Sequence, residues 1–572
     1  MKRHIIIYLL GAVSVCCLTT SCADDFLKVQ NSTSLNGDIF FDSNDAVDQA
    51  IYPLYNYVWN SFNGKLYYSM GDGRSNNITA QWSDYIKVYT NFNETSLAEG
   101  LADGWGALYS VIKQANNVIL NVRDKSSSNV SESAKTRAIA EARFMRGVAY
   151  WYLASLWGNV IIYDESVNIA NNYVLPTNPR LDVMEFAIRD MEYAAANLPT
   201  ASPSAGRINK YVAFAMLSRL YLSMAGLTTD GQYNGQNAKS EFNNGQRNTY
   251  YLDLARRAAK KVIDESSFKL VDNFDDLFRF SPSGDAPSFN CNNNSESLFA
   301  LQWITGSTSA NGWGCNQDIS AFFSWSTMVG ETNWGGATCC SWDLFQEFEA
   351  GDKRKHTSVA SYGEFYPELN AKNGGYTYGV TESASTNGAN IKKYVVGTHN
   401  DNGVSYQQST GINTYMMRLP EVYLNYAEAI MGNNASTTDA EALKYFNAVR
   451  TRAGLQPKAS ISYEDLRHER RIEFAFEGRY WYDLLNRSYY QQQEVVNYLN
   501  NQDRNRTYRY DTAEGTYVPS ENPGTGVATA TASSLLLPYP DSDQNSNPNL
   551  KNSVAPESYP FGDREIDITT IL

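Results

Sequence analysis

The sequence predicts a mainly α-helical fold: a helical-repeat scaffold carrying one large irregular region of loops and short strands. Three observations predict it. Apolar and small residues recur at helical spacing in paired segments over about 38–280 and 415–490. Between about 285 and 415 that periodicity gives way to Gly, Asn, Ser and Thr, with short apolar runs such as 298–303. A hydrophobic fraction of 43% beside 19% charged residues is the composition of a folded globular chain.

The charge balance narrows the function classes. Lys and Arg number 47 against 61 Asp and Glu, and the acidic excess argues against nucleic acid, which demands a basic face. Histidine is scarce, with His4, His356, His399 and His468 widely separated, so a His-rich metal site or a Ser/His/Asp triad lacks material. Aromatic residues reach 13% of the chain, with 40 Tyr, 24 Phe and 11 Trp.

The first element is an address label. Lys2 and Arg3 form a basic start, residues 5–18 are mostly apolar and too short for a comfortable membrane span, and small residues lead to Cys22. This resembles a bacterial lipoprotein signal over 1–21, with Cys22 the lipidated residue; Thr19 departs from the aliphatic residue usual there. At about 0.8 kcal/mol per buried methylene, two or three acyl chains would hold the protein on a membrane. With Lys2 and Arg3 gone, the net charge moves from −14 to −16. Residues 22–572 are expected to form a single domain. Cys291, Cys315, Cys339 and Cys340 remain beyond Cys22, too few for a disulfide framework and without a C-x-x-C pair, so one disulfide or buried thiols are expected.

The helices follow in order. Residues 105–122 are periodic, and 134–157 places Ala138, Ala142, Met145, Ala149, Tyr152 and Leu156 on one face, with Gly158 at the stop position. A polar loop joins these two as an antiparallel pair. The spans 181–198 and 211–225 form a second pair across a Pro/Ser/Gly turn at 199–207, and 251–264 is a further helix. Segments 419–431 and 439–453 form another pair, with Pro420 in a tolerated first-turn position. Repeated pairs rich in small residues suggest a solenoid, on which an insertion commonly forms the binding face. Residues 498–572 are read as loop-rich, and 498–534 as loop.

Seven ordered motifs then carry a family resemblance. They are CADDFL at the lipidation site, MGDGRSNN at 70–77, EARFMRGVAYWYLASLWGNV at 141–160, RLPEVYLNYAEAI at 418–430, FNAVRTRAGL at 446–455, ERRIEFAFEGRYWYDLLNR at 469–487 and LLLPYPDSDQNSNPNLKN at 535–552. Together they resemble the SusD-like (RagB/SusD) family of outer-membrane nutrient-uptake lipoproteins. Asn159-Val160-Ile161 departs from the Asp-Val-Pro common there. The resemblance implies a tetratricopeptide-like scaffold with an irregular ligand-binding region. It implies a lipid anchor on the outer surface of the outer membrane, a SusC-like TonB-dependent barrel as partner, and capture of oligosaccharide or polysaccharide without catalysis or a redox cofactor.

Two groups of residues invite chemistry. Glu469, Glu473 and Glu477 are spaced to share a helix face, and a carboxylate pair there would suit glycoside hydrolysis. The interleaved Arg467, Arg470, Arg471, Arg479 and Arg487 favour a charge network fastened to Arg450 and Arg452, with Arg479–Asp483 and Asp483–Arg487 as i,i+4 pairs, because arginines depress carboxylate pKa values. His468-Glu469 lacks the second His of a zinc motif. The tryptophans point to sugar instead. Trp303 and Trp342 sit in apolar runs and read as core. Trp313, Trp325 and Trp334 lie in Gly/Ser/Asn-rich sequence and are candidate ligand platforms. The resemblance adds Trp82, with Asp72 and Asn77 nearby. Aromatic stacking at roughly 0.5–1.5 kcal/mol per contact, plus hydrogen bonds, would give millimolar to micromolar binding. No cofactor is expected; a structural calcium stays open at Asp401-Asn402-Gly403 and Asp541-Ser542-Asp543, neither of which has the twelve-residue loop. A protein-docking subunit without its own ligand, and a glycoside hydrolase, are the alternative readings.

Overall fold

The computed structural model describes residues 41–80, 83–167, 174–282, 288–305, 316, 318–329, 337–379, 388–402, 409–551 and 553–572. The longer helices are α1 (Asn44–Ile51), α2 (Leu101–Lys125), α3 (Glu132–Leu156), α4 (Arg180–Asn197), α5 (Lys210–Leu227), α6 (Thr249–Glu265), α7 (Leu419–Met431), α8 (Ala440–Arg452), α9 (Tyr463–Glu473), α10 (Tyr480–Ser488) and α11 (Gln492–Asn501). Each helix from α2 to α8 packs on the next, α7 lying directly against α6. The scaffold is therefore continuous in space although some 150 residues separate α6 from α7 in sequence.

Local chemistry explains the boundaries. Ser131, Asn209, Asn248 and Asp439 each accept backbone N–H groups at the starts of α3, α5, α6 and α8. Ser462 and Asp465 cap α9 reciprocally. Gly158 takes a left-handed φ of 78° after α3, where a side chain would be strained. Small residues set the helix spacing: a Cβ on Gly147 of α3 would stand 3.0 Å from the Ala187 carbonyl oxygen of α4. Among the described residues no helix is long and apolar enough to cross a membrane.

The strands are short and pair antiparallel. Beside several two-residue strands, the longer ones are β1 (Ile78–Ala80), β2 (Ser297–Leu301), β3 (Thr338–Cys340), β4 (Thr414–Arg418), β5 (Tyr508–Asp511) and β6 (Thr516–Pro519). The β2–β4 ladder, running from Thr414 opposite Leu301 to Arg418 opposite Ser297, ties the exit of the insertion to its return. Trp303 follows β2 into the core, 5% exposed, its Nε1 donating to Thr414 Oγ1 at 3.0 Å. The β5–β6 hairpin corrects the expectation of loop across 498–534: Tyr508 and Tyr510 alternate with Arg509 and Asp511, and Gly515 turns the chain at a φ of 69°.

The C-terminal segment is a strap. Leu537 N–H donates to the Leu156 carbonyl at 2.7 Å, Trp157 Nε1 to the Pro538 carbonyl at 2.9 Å, and Trp105 Nε1 to Asp543 at 3.0 Å. Farther on, Arg564 pairs with Glu185 and Glu192 of α4, and Arg257 of α6 donates to the Thr569 carbonyl at 2.9 Å. Four helices, α2, α3, α4 and α6, are thus tied by one C-terminal stretch.

The charged motif at 469–487 is structural. Arg418 pairs with Glu473 at 2.9 Å and Glu477 at 2.6 Å, and also with Glu296. Arg354 pairs with Glu469 at 2.6 Å and Glu473 at 3.2 Å, while Arg450 and Arg452 reach Glu469 and Glu473. Burial raises the Glu473 pKa, but Arg452, Arg418 and Arg354 outweigh it and hold the carboxyl well below its usual range. Two expectations are corrected. α9 ends at Glu473, so Glu477 is not on its face; Phe476 and Gly478, both at φ 65°, fold Glu477 back onto the same network. Asp483 lies by Arg479 and Arg470 at 3.5 and 3.6 Å, whereas Arg487 pairs with Glu494 at 2.8 Å and not with Asp483.

Candidate functional site

β1 and β3 form a ladder in which Ile78, Thr79 and Ala80 oppose Cys340, Cys339 and Thr338. The Ala80–Thr338 pair closes the end to which residues 81–82 and 330–336 are tethered. Trp82, Trp313 and Trp334, together with Cys22, lie outside the described residues. Residues 306–315 join the described chain near Asn316, whose backbone bridges Thr410 and whose side-chain amide donates to the Ile412 carbonyl at 3.0 Å. Trp325 is half-buried just before the short helix Ser326–Val329 and packs on the main core.

Beside this ladder is a cavity of about 450 Å³ lined by Thr79, Ala80, Lys87, Asn91, Arg506 and Tyr508 among others. A strip of aromatic rings runs on from it. Tyr508 meets Trp342 at 5.1 Å and Phe345 at 5.6 Å between ring centroids; Trp342 and Phe345 are stacked, 16° from parallel. Tyr517 edges onto Phe345 at 5.0 Å, and Tyr510 onto Tyr517 at 5.2 Å. Tyr362 lies flat on Tyr510, 4.1 Å away and 10° from parallel. Trp342, Phe345, Tyr362, Tyr510 and Tyr517 are each half-buried, so the strip keeps ring surface open to solvent. Trp342, read as core, is half-buried: it packs on the main core and keeps part of its ring open. Tyr508 is the fixed member: its hydroxyl donates to the Cys340 carbonyl at 2.8 Å and accepts from Ala389 N–H at 3.2 Å, and burial pushes its pKa up.

Asp72 and Asn77 belong elsewhere. Both have 0% exposure. The Asp72 carboxylate accepts N–H groups from Phe476 at 2.8 Å and Gly478 at 2.7 Å and the Asn77 side-chain amide at 2.9 Å. Asn77 Oδ1 accepts from Arg471 Nε at 3.0 Å. A Cβ on Gly71 would lie 2.1 Å from the Gly478 carbonyl carbon, so the two backbones touch. The expectation that Asp72 and Asn77 meet a ligand is therefore corrected: MGDGRSNN clasps the 469–487 motif inside the protein.

Metal and redox chemistry find little in the described residues. No group of three His, Cys, Asp or Glu is placed there to hold a metal ion. Asp401 accepts backbone N–H groups from Asn370, Ala371 and Thr398 at 2.7–2.9 Å, a loop clamp. Asp543 accepts from Trp105, and Asp541 from the Asn545 amide at 2.9 Å. Cys291 and Cys340 are buried free thiols whose pKa values burial raises, Cys291 to about 12. Open aromatic faces flanked by amide, hydroxyl and cationic donors can hold a polar ring; Glu469, Glu473 and Glu477 are buried among arginines, away from any such face.

Comparison with known proteins agrees in extent along the chain. Residues 295–556 match the sequence model of the SusD family, and residues 25–222 match a SusD-like model described as starch-binding associating with outer membrane. A SusD-like protein of Bacteroides ovatus is 35% identical over 511 residues, 88% of this chain and 86% of its own. SusD-like protein P2 of Formosa agariphila is 27% identical over 402 residues, 66% of this chain and 70% of its own. A crystal structure with xylogluco-oligosaccharide is 34% identical, with a TM-score of 0.78, covering 91% of this chain and 100% of the other. A SusD homolog of Bacteroides thetaiotaomicron shares the fold at a TM-score of 0.67 and 19% identity over 91% of this chain and 98% of its own.

Proposed function

The chain belongs to the SusD family, and from that premise we propose that it is a non-catalytic, surface-exposed glycan-binding lipoprotein of the outer membrane. Cys22 carries the lipid anchor, and the bound oligosaccharide is handed to a SusC-like TonB-dependent barrel. The observation that carries this reading is the open aromatic strip from Trp342 to Tyr362 beside the β1–β3 ladder. Ring faces stack on the C–H faces of pyranoses, and the neighbouring Asn91 and Arg506 supply hydroxyl partners. The 34%-identical structure with xylogluco-oligosaccharide supports a neutral, β-linked plant glycan as the first ligand to offer. Trp82, Trp313, Trp325 and Trp334 are the further contacts expected.

Catalysis is not part of this proposal, because the carboxylates that would perform it are consumed by Arg354, Arg418, Arg450 and Arg452. Isothermal titration with xylogluco-oligosaccharides tests the binding, and a reducing-end assay on the same mixtures tests the chemistry. Micromolar to millimolar affinity with no new reducing ends supports the proposal. Absence of affinity across neutral glycans, or steady release of reducing ends, defeats it.

A further inference from the structure

A second cavity, of about 820 Å³, opens where the end of α3, the end of α5 and the start of α4 meet the C-terminal strap. That volume is within the ~300–1,000 Å³ typical of small-molecule sites. Two cations line it, Arg180 and Lys239. The Arg180 guanidinium rests over Gly158, where a Cβ would meet its Nη2 at 3.0 Å, and over the Tyr489 ring at 5.5 Å. Among the described residues no carboxylate lies within ion-pair distance of Arg180 or Lys239. That is unusual in this chain of net charge −14, where Arg146, Arg189, Arg207, Arg219, Arg247 and Arg564 all pair with acids. The Lys239 ammonium donates to the Gln246 carbonyl, and burial together with Arg247 holds its pKa down at about 8.

The surrounding negative groups are already engaged. Asp182, in the first turn of α4, accepts from the Tyr233 hydroxyl at 2.7 Å and Tyr559 N–H at 2.9 Å. The carbonyls ending α3 and α5 accept from Gly158, Leu537, Thr228 and Lys239 N–H groups. The N-terminal end of α4 adds its own positive pole toward an anion. Two cations without an acid partner therefore face the cavity. Its walls are not those of a bare anion site, however. Tyr233, Phe242 and Tyr539 line it half-buried, and Glu94, bound on one side to Arg74, has its Oε2 buried with no hydrogen-bond donor. A ligand that satisfies all three features carries a carboxylate for the cations, a hydroxyl to donate to Glu94, and a ring face for the aromatic walls.

We propose that this cavity is a second ligand site, taking a carboxylated sugar such as a hexuronate unit of an acidic glycan, separate from the aromatic strip. The test is isothermal titration of the full chain with oligogalacturonate trimer, with the fully methyl-esterified trimer and inorganic sulfate as comparison probes. The trimer binds, the ester binds at least tenfold more weakly, and Arg180→Gln weakens trimer binding at least tenfold while leaving xylogluco-oligosaccharide binding unchanged. Tyr510→Ala leaves trimer binding unchanged. Should Arg180→Gln fail to melt like the parent, Lys239→Gln carries the same comparison, and the ester arm on the unmodified protein decides alone. No binding of the trimer, equal binding of its ester, full retention in the variants, or sulfate competing as strongly as the trimer would each overturn the proposal.

Discussion

Asp72 and Gly478, 406 positions apart, are joined by a 2.7 Å hydrogen bond from the glycine N–H to the carboxylate. The same carboxylate accepts from Phe476, whose left-handed φ of 65° costs about 1–3 kcal/mol unless its surroundings enforce it. Asp72→Asn replaces one accepting oxygen by a donor that faces N–H groups. Each such bond to a charged group is worth about 1.5–3 kcal/mol. Guanidinium denaturation should show a loss of about 3 kcal/mol, with little change in the m-value.

Gly71→Ala places a Cβ against the Gly478 backbone, which has no flexible end to move aside. The expected outcome is a loss of roughly 4 kcal/mol or more, read as a fall in melting temperature or failure to recover soluble protein. Gly106→Ala, where a Cβ meets nothing within 4 Å, serves as the control and should melt at or above the parent temperature.

Glu473→Gln removes the carboxylate that faces Arg354, Arg418 and Arg452 together. Uncompensated buried charge costs about 3–5 kcal/mol when one partner of such a set is lost. Chemical denaturation should show a drop of that order. Leaving Glu473 in place and mutating the exposed pair Lys260–Asp264 should change stability by less than about 0.5 kcal/mol.

Stability should fall with rising pH across one identifiable window. Burial pushes the Glu192 carboxyl up to about 7, aided by Glu185 and only partly offset by Arg564 and the Tyr221 hydroxyl. Between the ordinary Glu range and pH 7 the folded chain holds a proton that the unfolded chain has released, so deprotonation favours unfolding there. The contribution is fully present below about pH 4.3 and gone above about 7, a loss of up to about 3 kcal/mol. Denaturation profiles of Glu192→Gln against the parent from pH 4 to 8 should diverge across that window; parallel curves would refute the assignment.

Tyr510→Ala removes an open ring and its flat partner contact with Tyr362. Each stacking contact is worth about 0.5–1.5 kcal/mol, so affinity for a neutral oligosaccharide should fall about 2–10-fold. Trp325→Ala should act in the same direction. Titration calorimetry reads both, and unchanged affinity in the two variants would move the binding face elsewhere.

The helices were legible because their information is local. Ala138, Ala142 and Ala149 announce a close-packed face, and Ser131, Asn209, Asn248 and Asp439 announce starts. The neighbourhood of α6 and α7 was not, because no local pattern records which helix receives the chain after a long excursion. Asp72 was legible as a motif residue and misread in role: a buried acceptor of backbone N–H groups looks, in sequence, like a polar residue near a ligand. The strip is not legible in sequence because Tyr510 and Tyr517 sit in short polar strands, where alternating residues around a glycine turn give little local signal.

The β2–β4 ladder has an evolutionary consequence. Because Leu301 and Thr414 meet across it, the chain leaves and rejoins the helices at one neck, and between those points Arg354 and β3 are fastened back to Glu469 and β1. Substitutions, insertions and deletions in the stretches between those fastenings can change the surface without taxing the helices, whereas changes at Arg354 or β3 strike the buried network itself. Selection can thus rewrite loops between fixed points while the chassis stays put.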